Sequence, residues 1–266
     1  MIAYRATLDV PADTALRLAA WLAEHRGQLG TRTGRRAIGC YRQAVLVLRW
    51  FRDDTSLRML ARDAQIGIST AYRYLHEGID VLAAQGPDLH DVLVRGRAEG
   101  WSHVTLDGTL IETDRCRARG ETGYDLWYSG KHKKHGGNIQ VLCDPKGFPV
   151  WTSPVEPGST HDITAARIHV LPALYPAAAA GLPTLTDKGY TGAGIGIHVP
   201  TKGRNLAPDT ATRNSLLTAM RALGERGNAI LKTRWATLRR IRLCPQRIGH
   251  ITAAALVLST LERGHY

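Results

Sequence analysis

Three acidic side chains stand where a carboxylate needs a reason. Asp107 interrupts the apolar run Val104-Thr105-Leu106-Asp107-Gly108-Thr109-Leu110-Ile111, and a lone carboxylate is costly to bury in a strand unless it is paired or bound to a cation. Gly108 beside it leaves room for a ligand to approach the backbone. Asp187 closes a second short run, Leu182-Pro183-Thr184-Leu185-Thr186, and Lys188-Gly189-Tyr190 follows at once. Two aspartates at strand ends invite a divalent metal, because hard cations select oxygen ligands and like charges otherwise repel. A third ligand is expected from a late helix. Glu225 is one of three acidic residues after position 200, with Asp209 and Glu262, and it follows Arg221 by four residues, which puts both on one helical face. The same spacing also fits an intrahelical Arg221/Glu225 ion pair worth ~0.3 to 0.5 kcal/mol.

The elements that must position these groups follow from periodicity. Strands are predicted over residues 101–111, 138–143 and 148–153, with Asp144-Pro145-Lys146-Gly147 as the turn between the last two. A loop running into a helix is expected over 158–167, short strands over 182–186 and 195–200, helix after Arg213, and a closing apolar helix over 248–261. That order predicts an α/β fold with a mixed sheet. Residues 11–90 read as helices. One follows Pro11, with Ala15, Leu18, Ala19 and Leu22 at helical spacing. A second runs from about Arg35 to Phe51, and a third is capped by Asp54 or Thr55. After the turn Gln65-Ile66-Gly67-Ile68, a fourth helix begins with Ser69 as N-cap and carries Leu75, Ile79 and Leu82 on one face, with Thr70 and Arg73 elsewhere. Helix, glycine turn, helix is the arrangement of a helix-turn-helix DNA reader, and equally of a small packing bundle.

Charge narrows the choice of partner. Among 266 residues, 35 Lys and Arg against 23 Asp and Glu leave a net charge of +12, which makes a polyanion the first partner to consider. The excess is uneven: residues 201–266 hold 12 basic and 3 acidic side chains, or +9, while residues 91–200 balance at 11 and 11. A neutral middle with its own carboxylates and a basic end fits a site followed by a grip on a negative ligand; a solvated basic surface is the plainer reading. Hydrophobic content of 44% with 22% charged residues excludes wholesale disorder. Cys40, Cys116, Cys143 and Cys244 lack paired spacing, so neither a zinc knuckle nor a disulfide framework is expected. Charges at Arg5, Asp9, Asp13 and Arg17 deny the N-terminal segment a signal-peptide core. Residues 170–186 are uncharged, but Pro172, Pro176 and Pro183 break them too often for a membrane helix. A reduced, cytoplasmic, soluble protein is predicted, with no membrane partner.

The runs L-D-G-T-L-I, K-H-K-K-H-G-G-N-I-Q-V-L-C-D-P-K-G, P-G-S-T-H-D, T-D-K-G-Y and R-A-L-G-E-R-G-N-A-I-L-K, in this order, resemble the DDE transposases of bacterial insertion sequences and their Harbinger-like relatives. The resemblance covers residues from about 100 to 262, and the preceding helices resemble the helix-turn-helix ahead of that domain. It implies a five-stranded mixed RNase H-like sheet flanked by helices over residues 91–266, after a helical DNA-binding domain over residues 1–90. Asp107, Asp187 and Glu225 are implied as the catalytic triad and as ligands of two Mg²⁺ or Mn²⁺ ions, with Asp162 of the H-D motif in support. Such a pair of ions activates a water or a 3′-hydroxyl and stabilises the leaving oxygen of an in-line phosphoryl displacement. The implied partner is double-stranded DNA, at element ends and target, bound by a dimer or higher assembly during synapsis, so the protein would be nucleoid-associated when bound. The expected DNA contacts are Ser69, Thr70 and Arg73 in the helix-turn-helix, Lys131, Lys133 and Lys134 in a basic hairpin, Lys188 and Arg221 beside the triad, and Lys232, Arg239 and Arg240 in a backbone-binding stripe. A non-catalytic DNA-binding regulator or domesticated remnant is the rival from another class. The family pattern often has an aliphatic residue where this chain has Gly224, and glycine there costs a helix about 1 kcal/mol relative to alanine.

Overall fold

The structure, a computed structural model, describes residues 7–263, and of Glu225 the backbone only. Five helices come first: α1 (Ala12–Gln28), α2 (Cys40–Asp53), α3 (Leu57–Ala64), α4 (Ile68–Ala83) and α5 (Leu89–Ala98). Ser56 caps α3 by accepting from Met59 N at 3.4 Å, whereas Asp54, an expected cap, instead ends α2 in the left-handed conformation (φ 51°). Between α3 and α4 the left-handed residue is Gln65 (φ 56°), not the glycine; Gly67 is extended and caps α4, so Ser69 sits one residue inside the helix. α5 lies largely beyond the helices expected over 11–90; Asp88 caps it by accepting from His90 N at 2.8 Å, and Leu89, Val92 and Leu93 line its buried face.

The sheet contains β1 (Val104–Glu112), β2 (Tyr128–Ser129), β3 (Lys134–Cys143), β4 (Pro149–Thr152) and β5 (Glu156–Pro157). After α6 (Asp162–His169) and α7 (Leu171–Ala179) come β6 (Thr184–Leu185) and β7 (Ile197–His198). β1 and β3 pair antiparallel from Thr105↔Cys143 to Glu112↔Gly136, and β4 pairs antiparallel with β3. On the other side of β1, β6 runs parallel to it and β7 runs parallel to β6. This gives the mixed order β4-β3-β1-β6-β7, the RNase H-like arrangement that the resemblance implies, with two-residue β2 and β5 added along β3. Two helices follow, the long α8 (Pro208–Arg234) and the closing α9 (Ile248–Glu262). α7 lies in the proline-broken apolar stretch. Pro172 falls in its first turn, where a missing N–H is harmless, and only Pro176 lies inside the helix.

Two apolar cores cover the faces of the sheet. Val104, Leu106 and Leu142 pack with α5, α6 and α7 through Leu93, Ala166, Leu171 and Leu174. Ile111, Ile139, Val141 and Cys143 face the other way, against Leu231, Trp235 and α9, and this core continues into α1, α2 and α4 through Leu18, Phe51 and Leu75. Phe51 of α2 meets the fully buried Trp235 edge to face at 6.3 Å, and the Trp235 indole N–H donates to Ser259 Oγ at 2.8 Å. The N-terminal helices therefore share one core with the last helix of the chain. Among the described residues no helix is long and apolar enough to cross a membrane.

Candidate active site

Parallel strands bring the two aspartates together. Thr105 pairs with Leu185 at the last step of the parallel ladder; Asp107 lies two residues further along β1 and Asp187 two residues past Leu185, beyond the end of β6, close enough for its charge to act on Asp107. Burial, and next the charge of Asp187, push the Asp107 carboxyl up to about 6; Asp162 adds to the rise, while the charge of Arg221 and a hydrogen bond from Asn228 oppose it. Asp187 caps the 3₁₀ turn Lys188–Tyr190 by accepting from Gly189 N at 2.8 Å, which fixes the side chain where the strand ends.

α8 brings the third group's backbone to this pair. Arg221, Glu225, Asn228 and Lys232 are spaced as one stripe along the helix. Asn228 Nδ2 donates to Asp107 Oδ2 at 2.8 Å, and Lys232 Nζ donates to Thr109 Oγ1 at 2.7 Å and to the Leu110 carbonyl at 3.0 Å. The glycines beside the stripe explain how the helix comes so close. A Cβ on Gly224 would overlap the Thr105 side chain, and one on Gly227 would overlap Cys143 Sγ. Gly224 is thus a point of helix-to-sheet contact, which offsets its poor helix propensity. The side chain of Glu225 lies outside the described residues.

The opposite face of the sheet carries a hydrogen-bonded chain that links three of the motifs. The buried Tyr190 hydroxyl donates to Gln140 Oε1 at 2.6 Å, and Gln140 Nε2 donates to Asn138 Oδ1 at 3.0 Å. Asn138 Nδ2 then donates to Asp162 Oδ1 at 2.7 Å, and Lys131 Nζ to Asp162 Oδ2 at 2.9 Å. Gly108 makes room for it, since a Cβ there would lie 2.5 Å from Asp162 Oδ1. Burial raises the Tyr190 hydroxyl well above its ordinary value, and the charges of Asp162, Asp107 and Asp187 push it further, so it stays a donor. The chain ties the Asp187 turn to the basic hairpin. Asn138, Gln140 and Asn228 had no place in the reading of the sequence, although polar residues at i and i+2 in the run N-I-Q-V-L-C were a visible signal of a polar column on one strand face.

The expected DNA contacts fall into three places. Lys131, Lys133 and Lys134 stand exposed on the β2–β3 hairpin. Lys131 is paired to Asp162, Lys134 is paired to Glu112 at 2.5 Å, and Lys133 takes the left-handed conformation (φ 57°). Lys188 is exposed next to Asp187, and Arg221 is close enough to lower the Asp107 carboxyl. Lys232 is tucked against β1, with burial lowering its ammonium against the opposing pull of Glu112 and Asp107. Arg239 and Arg240 are exposed beyond α8, where Arg239 Nε donates to the Lys232 carbonyl at 3.2 Å and Arg240 pairs with Asp114 at 2.7 Å. On α4, Ser69 and Arg73 are exposed and Thr70 half-buried, with Arg73 Nη2 donating to Thr70 Oγ1 at 3.4 Å; exposed Ile68 and Tyr72 extend the same surface.

Among the described residues no three His, Cys, Asp or Glu side chains form a group that could hold a metal ion. The donors present still fit a hard divalent cation: Asp107 and Asp187 are like charges close enough to repel, and Asn228, which donates to Asp107, has its Oδ1 buried without a hydrogen-bond partner. A family model described as DDE superfamily endonuclease matches residues 106–260. No curated protein and no solved structure matches the chain.

Proposed function

Since the chain belongs to the DDE superfamily endonucleases, we propose that it is a transposase that cuts DNA at the ends of an insertion sequence and joins those ends to a target. The observation that supports this best is the Asp107/Asp187 pair, brought together where the parallel strands β1 and β6 run side by side, with Asp107 pushed up to about 6 by burial and next by the charge of Asp187. Two carboxylates that repel one another in a part-buried site are a poor structural choice and a good cation seat. Asp107 and Asp187, with Glu225 from α8, would hold Mg²⁺ or Mn²⁺, two ions in all. Bound there, such ions would supply activation of a water or a 3′-hydroxyl and stabilisation of the leaving oxygen.

The chain's own residues do the rest. Lys188, Arg221 and the Lys131–Lys134 hairpin border the carboxylates and would neutralise the phosphates of the strand being cut, while Lys232 supports β1 from below. Arg239 and Arg240 would extend the grip along the backbone, a contact of charge and not of sequence. Ser69, Thr70 and Arg73 on α4 would read the element end in the major groove. Pairing two ends calls for at least a dimer. The test is incubation with Mg²⁺ and DNA carrying the element's own terminal inverted repeats, scoring cut and joined products. Cleavage of those ends with joining to a target supports the reading. Binding of the ends with no product under Mg²⁺ or Mn²⁺ favours the non-catalytic regulator.

A further inference from the structure

Asn228 combines two features that are hard to explain by packing. Its amide nitrogen donates to Asp107 Oδ2 at 2.8 Å, and its carbonyl oxygen is buried with no hydrogen-bond partner. A carboxylate oxygen only accepts, so the amide presents its nitrogen to Asp107 Oδ2, which leaves its own oxygen without a partner from that carboxylate. An orphaned buried amide oxygen loses its water without a replacement partner, a cost without structural return. Rotating the amide would satisfy nothing, because it would set oxygen against oxygen. The side chain is held in place from below: Gly224 and Gly227 let α8 rest on Thr105 and Cys143, and Lys232 anchors the next turn to Thr109 and Leu110. A short, rigid, neutral side chain is thereby brought to the first carboxylate of the pair.

We propose that Asn228 is a positioning residue for Asp107: its amide N–H occupies Oδ2 and fixes the carboxylate rotamer, and its unpartnered Oδ1 supplies a neutral oxygen to the same divalent cation or to that cation's water. This inference rests on the metal-centre reading above and adds to it a residue outside the expected triad. Neutral donors suit this place, since a further carboxylate would add to the repulsion already borne by Asp107 and Asp187.

The test is calorimetric titration of the full chain with Mn²⁺ alone, without DNA, for the wild type, Asn228→Ala and Asn228→Leu. The leucine variant keeps the branched shape without an amide and keeps the test open should the alanine variant fail to fold; circular dichroism checks both. Losing a group that orients a ligand weakens metal binding roughly 10- to 100-fold, and that loss is expected in each folded variant. A wild-type Kd within twofold in either folded variant overturns the inference and leaves the metal centre standing. Absence of Mn²⁺ binding by the wild type overturns the metal centre and this inference together. DNA binding in metal-free buffer is expected to stay unchanged in both variants; its loss alongside an unaltered Mn²⁺ affinity marks Asn228 as a packing residue.

Discussion

Gly224 and Gly27 are both helical glycines, and the structure assigns them opposite responses to the same substitution. Nothing lies within 4 Å of a Cβ added at Gly27 in α1, whereas one at Gly224 would overlap Thr105 Oγ1 and lie 2.7 Å from Thr105 Cβ, a contact that real Cβ atoms do not make. Alanine improves helix propensity at either position by up to about 1 kcal/mol. At Gly27 that is the whole effect, and Gly27→Ala is expected to stabilise by a few tenths to about 1 kcal/mol, less if the helix end frays. At Gly224 the gain is opposed by overpacking of about 1 to 3 kcal/mol, so Gly224→Ala is expected to destabilise by up to about 2 kcal/mol. Thr105→Ala removes Oγ1, the nearest clashing atom, and Cγ2 but keeps Cβ, so the double variant is expected to recover part of the loss, about 0.5 kcal/mol or more relative to the sum of the singles, within the usual range of about 0.5 to 3 kcal/mol for contacting residues. Urea unfolding of the five proteins, wild type, the three single variants and the double variant, gives each difference from the midpoint at constant slope. If Gly224→Ala stabilises as Gly27→Ala does, or if the double variant is simply additive, α8 does not rest on β1 and the positions assigned to Asn228 and Glu225 are wrong.

Two further outcomes follow from the charges. Asp107 ionises near 6 in the fold against 3.8 in the unfolded chain, so the folded protein holds that proton more tightly. The metal-free protein is expected to lose stability as pH rises from about 4 to about 6 and to level off above, by about 3 kcal/mol at most from this group. Asp107→Asn should flatten that fall in urea midpoints taken across the range, and an unchanged profile would refute the assignment. Replacing exposed Arg239 and Arg240 by Gln should weaken end DNA and random DNA alike. Each lost phosphate contact should also lower the magnitude of the log K against log salt slope by about 0.9. An unchanged slope would place the DNA path elsewhere.

The mixed sheet and the acidic pair were legible in the sequence because they depend on local order. Three strands, a helix and two strands leave few ways to build a sheet, and Asp107 and Asp187 announce themselves as carboxylates in apolar runs. What was not legible depends on residues far apart in the chain. Gly224 reads as a weak point until Thr105 is seen beneath it, and Lys232 has the spacing of an exposed basic stripe until Thr109 and Leu110 are seen to hold it. The division at residue 90 follows the change of period, but the core runs from Phe51 to Trp235 across it, since apolar patterning says which face is buried and not against what. α7 was hidden by its prolines, a helix whose apolar composition outweighs a broken propensity.

The most direct measurement is cleavage of end DNA under Mg²⁺ by the wild type and by Asp107→Ala, Asp187→Ala and Glu225→Ala, with end-DNA binding followed in parallel. The carboxylates are assigned to the cations and not to the DNA, so each substitution is expected to abolish cleavage while leaving binding of the ends largely intact. Retained cleavage in Asp187→Ala would contradict the account.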